Sequence, residues 1–279
     1  MAPSPQVVED PKPMRLGPRP SGLYFIHRAT EKADIYFVSS RSGHSEDFRC
    51  TFRVAGHAPE IWDPVTGTHA FAAAYEAKDG RTTLPLHFNP CGACFVIFQE
   101  PAEAHPAVAQ RNTSEFQPLQ EIKGSWTVHF EPRWGGPDSV QFDSLESWTT
   151  RPEPGIEYYS GRANYIKTFD LPEVTEKAGN HIWIDLGNVH ELAEVKLNGK
   201  NLGIVWTPPF RVEMTSAAKP TGNLLEVEVV NFWPNRIIGD QSLAKKQPFT
   251  RTNIRKLTKD APLMESGLIG PVRLLEEHH

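Results

Sequence analysis

Amides, a guanidinium and a carboxylate share one short stretch with two aromatic rings, Asn231-Phe-Trp-Pro-Asn-Arg-Ile-Ile-Gly-Asp240. Planar donor forks and amides suit vicinal hydroxyls, and an aromatic face suits the C–H face of a pyranose. Asn231, Trp233, Asn235, Arg236 and Asp240 are therefore candidate carbohydrate contacts, with Trp206 joining them from an earlier turn. A second reading stays open, in which Arg236 pairs with Asp240 and the aromatics belong to the core. Cleaving a glycosidic bond needs a general acid and a base or nucleophile, usually two carboxylates. Asp240 and Glu265 are the alternative catalytic pair, with Asp138, Glu157 and Glu191 behind them. Nothing in the sequence fixes the distance between any two.

Three cysteines, Cys50, Cys91 and Cys94, are too few and odd in number for a disulfide framework. Cys91-Gly-Ala-Cys94 has the spacing of a redox or zinc half-site, but a strand pattern follows at once and no second half-site completes it. Structural thiols are the better reading. Asn112-Thr-Ser114 matches a glycosylation acceptor, a pattern common by chance. Among the tryptophans, Trp62 and Trp126 sit in strand-like contexts and read as core, as do Trp134 and Trp148. Trp206 and Trp233 abut loops and are open to either role.

The elements that must position these groups are strands. Leu225, Val227 and Val229 alternate with Glu226 and Glu228, as in a strand with one face in water. Pro234 then blocks further pairing, so the polar cluster is expected on a loop at the sandwich edge. Similar patterns recur from Leu23 to Phe98 and from Trp126 to Leu274, punctuated by turn signals such as Asp79-Gly80 and Asn198-Gly199. Helical periodicity is nearly absent.

The expected fold is all-β, with two antiparallel β-sandwich domains and no αβ alternation from which a TIM barrel could be built. Residues 1–20 read as a proline-rich arm, 21–105 as the first sandwich, 106–118 as a polar linker and 119–276 as the second sandwich. An apolar share of 39% supports buried cores, and the formal charge of −5 offers no basic surface for a nucleic acid. Apolar runs such as Cys94–Phe98 are too short to cross a bilayer, and Met1 leads into no apolar signal core. A soluble chain without an export signal is expected.

Several motifs go beyond generic β sequence: Tyr158-Tyr-Ser-Gly161, Asp185-Leu-Gly-Asn-Val189, Ala193-Glu-Val-Lys-Leu-Asn-Gly199, Leu202-Gly-Ile-Val-Trp206, Asn231–Asp240 and Ser266-Gly-Leu-Ile-Gly-Pro271. In these the second domain resembles the sugar-binding jelly roll of glycoside hydrolase family 2. More closely, it resembles the C-terminal part of bacterial α-L-rhamnosidases of family 106. Ile26-His-Arg28, Asp34–Ser39 and Pro59-Glu-Ile-Trp-Asp-Pro64 are similar to the accessory sandwich of those rhamnosidases. The resemblance implies a galactose-binding-like jelly roll and a bacterial parent that is typically secreted or periplasmic.

It also implies an accessory role, because the catalytic carboxylates of such enzymes lie on a barrel. Carried over residue by residue, Asp240 accepts hydroxyl hydrogen bonds, Arg236 orients or donates, and Trp233 or Trp206 stacks. The expected partner is a mono- or oligosaccharide, with room for a homo-oligomer or a barrel-bearing partner. No cofactor is required. A structural calcium is compatible with the resemblance, but its ligands cannot be named. The alternatives are a small hydrolase using loop carboxylates, and a purely structural module whose exposed aromatics form an interface.

Overall fold

The computed structural model describes residues 22–109, 111–173, 181–241, 248–253 and 256–278. The proline-rich arm expected over residues 1–20 lies outside them. The chain divides into two compact units, Met1–Thr113 and Ser114–His279.

The first unit contains β1 (Leu23–Ala29), β2 (Asp34–Ser40), β3 (Glu46–Phe52), β4 (His57–Trp62), β5 (His69–Phe71), β6 (Glu76–Lys78), β7 (Arg81–Phe88) and β8 (Ala93–Pro101). Five of them pair in the order β1-β2-β8-β4-β5, and the others in the order β3-β7-β6. Alternate residues of β2, β7 and β8 point inward, so Val38, Leu84, Leu86, Val96 and Phe98 make the core. Asp79 and Gly80 both take positive φ, 51° and 72°, and join Lys78 to its partner Arg81 by the two-residue hairpin their sequence predicts.

Two expectations about this unit change, those for Trp62 and for Cys91. Trp62 is 37% exposed rather than core, because Ile61 takes the inward position on β4. The Asn112 amide bonds to the Ala74 nitrogen and oxygen and to the Pro85 carbonyl, so it serves as an internal tether. Burial pushes the Cys50 thiol up to about 11 and the Cys94 thiol up to about 12, which keeps both protonated and unreactive at neutral pH. Cys91, by contrast, is exposed in a turn at φ 53°, so the structural reading applies to two of the three.

The second unit contains β9 (Glu115–Glu121), β10 (Trp126–Phe130), β11 (Val140–Phe142), α1 (Pro154–Glu157), β12 (Arg162–Phe169), β13 (His181–Asp185), β14 (Asn188–His190), β15 (Leu192–Leu197), β16 (Lys200–Val205), β17 (Arg211–Glu213), β18 (Asn223–Val230), α2 (Pro234–Gln241), β19 (Gly267–Gly270) and β20 (Arg273–His278). A six-stranded sheet runs β11-β10-β12-β18-β15-β16, a four-stranded sheet runs β17-β13-β20-β9, and β14 pairs with β19. The alternation read in β18 holds: Leu225, Val227 and Val229 are fully buried while Glu226 and Glu228 are not.

Polar residues expected in the linker instead begin β9, which pairs with β20 from Glu115↔His278 to Glu121↔Arg273. Backbone pairing at a sheet edge needs no apolar alternation, so the composition concealed this strand. Pro271, which has no N–H to pair, lies between β19 and β20, and the two strands enter different sheets.

At the centre of the core, the Tyr165 hydroxyl accepts hydrogen bonds from Trp148 Nε1 and the Leu268 nitrogen, tying β12 to the turn at Trp148 and to β19. All three residues are fully buried. Tyr165→Phe would leave two buried donors without a partner, at about 1–3 kcal/mol each. The expected outcome is a folded chain whose urea midpoint falls with an unchanged m-value; an unshifted midpoint would contradict this account of the core.

Candidate carbohydrate site

Strand register gathers the candidate residues at one end of the second sandwich. Val230 closes β18 opposite both Leu192 and Arg162, the first residues of β15 and β12. Val205 closes β16 opposite Ala193, and His190 closes β14 opposite Gly267, the first residue of β19. Trp206, Glu191, Gly161, Ser266 and Asn231–Asp240 must therefore emerge at the same end.

The segment expected to be a loop is largely helical. Pro234 opens α2, where a missing N–H costs no hydrogen bond and the ring's fixed φ suits the first turn. The nitrogen of Ile237 donates to the Trp233 carbonyl at 3.1 Å. Asn235 through Gly239 are all buried. Gly239 permits this close seating, since a Cβ there would lie 2.6 Å from the Tyr158 Cβ.

Helical spacing puts Arg236 and Asp240 side by side. Arg236 Nε lies 3.0 Å from Asp240 Oδ1, and the two side chains are only 4% and 5% exposed. Asp240 Oδ2 accepts from the Thr250 nitrogen at 2.8 Å and hydroxyl at 2.7 Å, while the guanidinium sits 4.9 Å over the Phe249 ring. Burial pulls the Arg236 pKa down from its ordinary value, and the Asp240 charge opposes that shift. The pair fastens the 248–250 segment to α2, which is the second of the two roles the sequence left open.

Both asparagines are likewise engaged from within. Asn231 accepts from the Gly161 nitrogen and donates to the Tyr159 carbonyl and the Ser266 hydroxyl. Asn235 donates to the Met264 carbonyl and to Ser266, and accepts from the Met264 nitrogen. Their polar atoms are directed at protein groups rather than at solvent. The carboxylate expected to accept sugar hydroxyls is in the same position.

What faces water is aromatic and acidic. Trp206, Phe232 and Trp233 are 58%, 56% and 46% exposed. Trp233 is held edge-on against Trp134 at 5.2 Å, which fixes its orientation. Beside them Glu191, Phe232, Pro234, Asn235, Met264, Glu265 and Ser266 line a shallow surface depression. His190 stands between two acids, with Nδ1 3.8 Å from Glu191 Oε1 and Nε2 3.5 Å from Glu265 Oε2. Phe232 and Met264 were absent from the sequence-based site; their only signal was a large apolar residue beside a turn.

The alternative catalytic acids thus occupy different surroundings, Asp240 in a buried ion pair and Glu265 at the exposed rim. Among the described residues no group of three or more His, Cys, Asp or Glu side chains is placed to hold a metal ion. Among them, too, no helix is long and apolar enough to cross a membrane.

The sequence model described as alpha-L-rhamnosidase matches residues 4–77. The solved rhamnosidase from Novosphingobium sp. PP1Y superposes with a TM-score of 0.83 at 34% identity, over 93% of this chain and 24% of that one. The chain is a rhamnosidase-like region. A Formosa agariphila protein provisionally named a beta-glucuronidase is 38% identical over 181 residues, which is 57% of this chain and 16% of that protein. The rhamnosidase-like region therefore spans less than a quarter of the length of either relative.

The buried pair gives a direct test of what holds this end together. Asp240→Ala leaves the Arg236 charge uncompensated and is expected to destabilise the region by about 3–5 kcal/mol. Arg236→Met combined with Asp240→Leu should lose much less than Asp240→Ala alone, as read from chemical denaturation. Equal losses would show that the charges do not act as a pair.

Proposed function

We propose that this chain is a carbohydrate-binding accessory region of a glycoside hydrolase, contacting sugar at the β16/β18/β19 end of the second sandwich. The observation that carries the reading is the exposed aromatic rim of Trp206, Phe232 and Trp233 beside the acidic depression. Large aromatic faces are normally covered in a folded domain, and here they stand at a loop-built end next to hydroxyl acceptors. Similarity to a rhamnosidase supports carbohydrate as the ligand class.

In this reading the originally paired candidates divide by role. Trp206 and Trp233, joined by Phe232, stack on a pyranose face, and Glu191 and Glu265 accept hydroxyl hydrogen bonds. Asn231, Asn235, Arg236 and Asp240 hold the rim in place from beneath. All the described secondary structure is sandwich strands and short helices, so a barrel carrying the catalytic acids would come from elsewhere in a longer polypeptide.

Isothermal titration with neutral monosaccharides and their aryl glycosides checks the reading. Trp233→Ala is expected to weaken binding several-fold, equivalent to about 1 kcal/mol of lost aromatic contact, without lowering the unfolding midpoint appreciably. Unchanged affinity in Trp233→Ala, Trp206→Ala and Phe232→Ala together would remove this rim from the binding surface. Turnover of the aryl glycosides by the purified chain, abolished by Glu265→Gln, would instead make the chain a hydrolase in its own right.

A further inference from the structure

The outer face of the five-stranded sheet in the first unit is apolar where an antiparallel sheet ordinarily meets water. Tyr36, Val38, Val96 and Phe98 point into the core, so alternation turns Ile35, Phe37, Phe95 and Ile97 to the opposite face. Register aligns them across four strands. Ile26, Phe37, Phe95 and Trp62 form one row, and Arg28, Ile35, Ile97 and Glu60 form the next. Ile26 is 55% exposed and Trp62 37% exposed.

Strands apolar on both faces belong to sheets covered on both faces, and this patch, half-buried at Ile35, Phe37, Phe95 and Ile97 and exposed at Ile26 and Trp62, marks a docking surface. The occupant can be argued from shape and charge. Phe37 and Phe95 lie 5.1 Å apart with planes tilted by 56°, which makes ridges rather than a flat platform for a sugar ring. Ridges suit interdigitation with another sheet. The second row carries opposite charges at its two ends, Arg28 on β1 and Glu60 on β4, with two isoleucines between them.

We propose that this face pairs with the same face of a second copy of this chain. A twofold contact requires a self-complementary patch, in which each residue meets a partner that meets it in return. An axis lying in the contact plane, parallel to the strands and passing between β2 and β8, sets β1 of one copy over β4 of the other. Ile26 then faces Trp62 of the partner subunit, and Phe37 faces Phe95 of the partner subunit. Arg28 faces Glu60 of the partner subunit, and the reciprocal pair forms as well.

Glu60 already accepts from His69 Nδ1 at 2.7 Å, which holds its carboxylate on this face. Four strands about 4.8 Å apart and two rows about 7 Å apart give roughly 270 Å² of face per copy. That is well below a standard specific contact of about 800 Å² per partner, so only weak, transient association is expected. The proposal goes beyond the carbohydrate reading and does not depend on it, because the face lies wholly within the other unit.

Sedimentation velocity on the full chain from about 1 to 200 μM tests it in the range expected of a small interface. The mass should rise from monomer to dimer. Arg28→Glu should weaken association by about tenfold or more, and Arg28→Glu with Glu60→Arg should restore it, since like charges repel across a contact and the swapped pair attracts. Phe37→Lys should abolish it, with circular dichroism confirming that each variant is folded. A monomer throughout would overturn the proposal and leave the face to another segment of a longer polypeptide. A dimer indifferent to Arg28→Glu and Phe37→Lys would overturn it equally.

Discussion

The Ser266 hydroxyl is the point on which one end of the second sandwich depends. It accepts from Asn231 and Asn235 and donates to the Met264 carbonyl, while the Ser266 backbone bonds to the Ser147 hydroxyl and the Trp148 nitrogen. Three stretches of chain distant in sequence, 147–148, 231–235 and 264–266, therefore meet at one small residue that is 2% exposed. In a low-dielectric setting such a network stabilises only if every member is satisfied. Here the donors and acceptors of both asparagines are matched, which fixes where β18 ends, where α2 begins and where β19 starts.

That network also determines what the end can present to a ligand. With amides, guanidinium and carboxylate directed inward, the surface left over consists of the rings on either side of Pro234 and the acids flanking His190. Trp233 heads α2, so its position is set by the helix, and Trp134 braces its ring. The helix in turn is held by the Arg236–Asp240 pair and its bonds to Thr250. A buried pair of this kind contributes little net stability over an apolar substitute. Its effect is one of register, since only one helical phase lets the two side chains meet.

Much of the fold was legible because alternation is a direct consequence of strand geometry. Leu225, Val227 and Val229 alternate with glutamates and lie in the core, and Asn198-Gly199 takes the left-handed φ values, 53° and 80°, that its hairpin needs. What escaped notice was pairing without apolar pattern, as in β9, and inward–outward phase in a strand apolar on both sides, as in β4. The site was legible as an inventory but not as an arrangement. Pro234 signals the end of a strand and the start of a helix equally well, and the choice between them decides whether residues four apart diverge or touch.

The helical phase has a consequence for how a sugar-friendly composition should be weighed. Amides and charged groups near aromatics satisfy hydroxyls in a binding site, but the same groups satisfy orphaned backbone and each other inside a loop-rich sandwich end. Composition cannot separate the two; exposure can. Asn231, Asn235, Arg236 and Asp240 are each below one-tenth exposed, whereas Trp206, Phe232 and Trp233 are near one-half. Polar residues that look like ligands to a sugar thus form the frame, and the apolar rings that look like core form the surface. This inversion follows from a single constraint: buried polar groups must find partners within the protein, and only the residues excused from that task remain free for anything else.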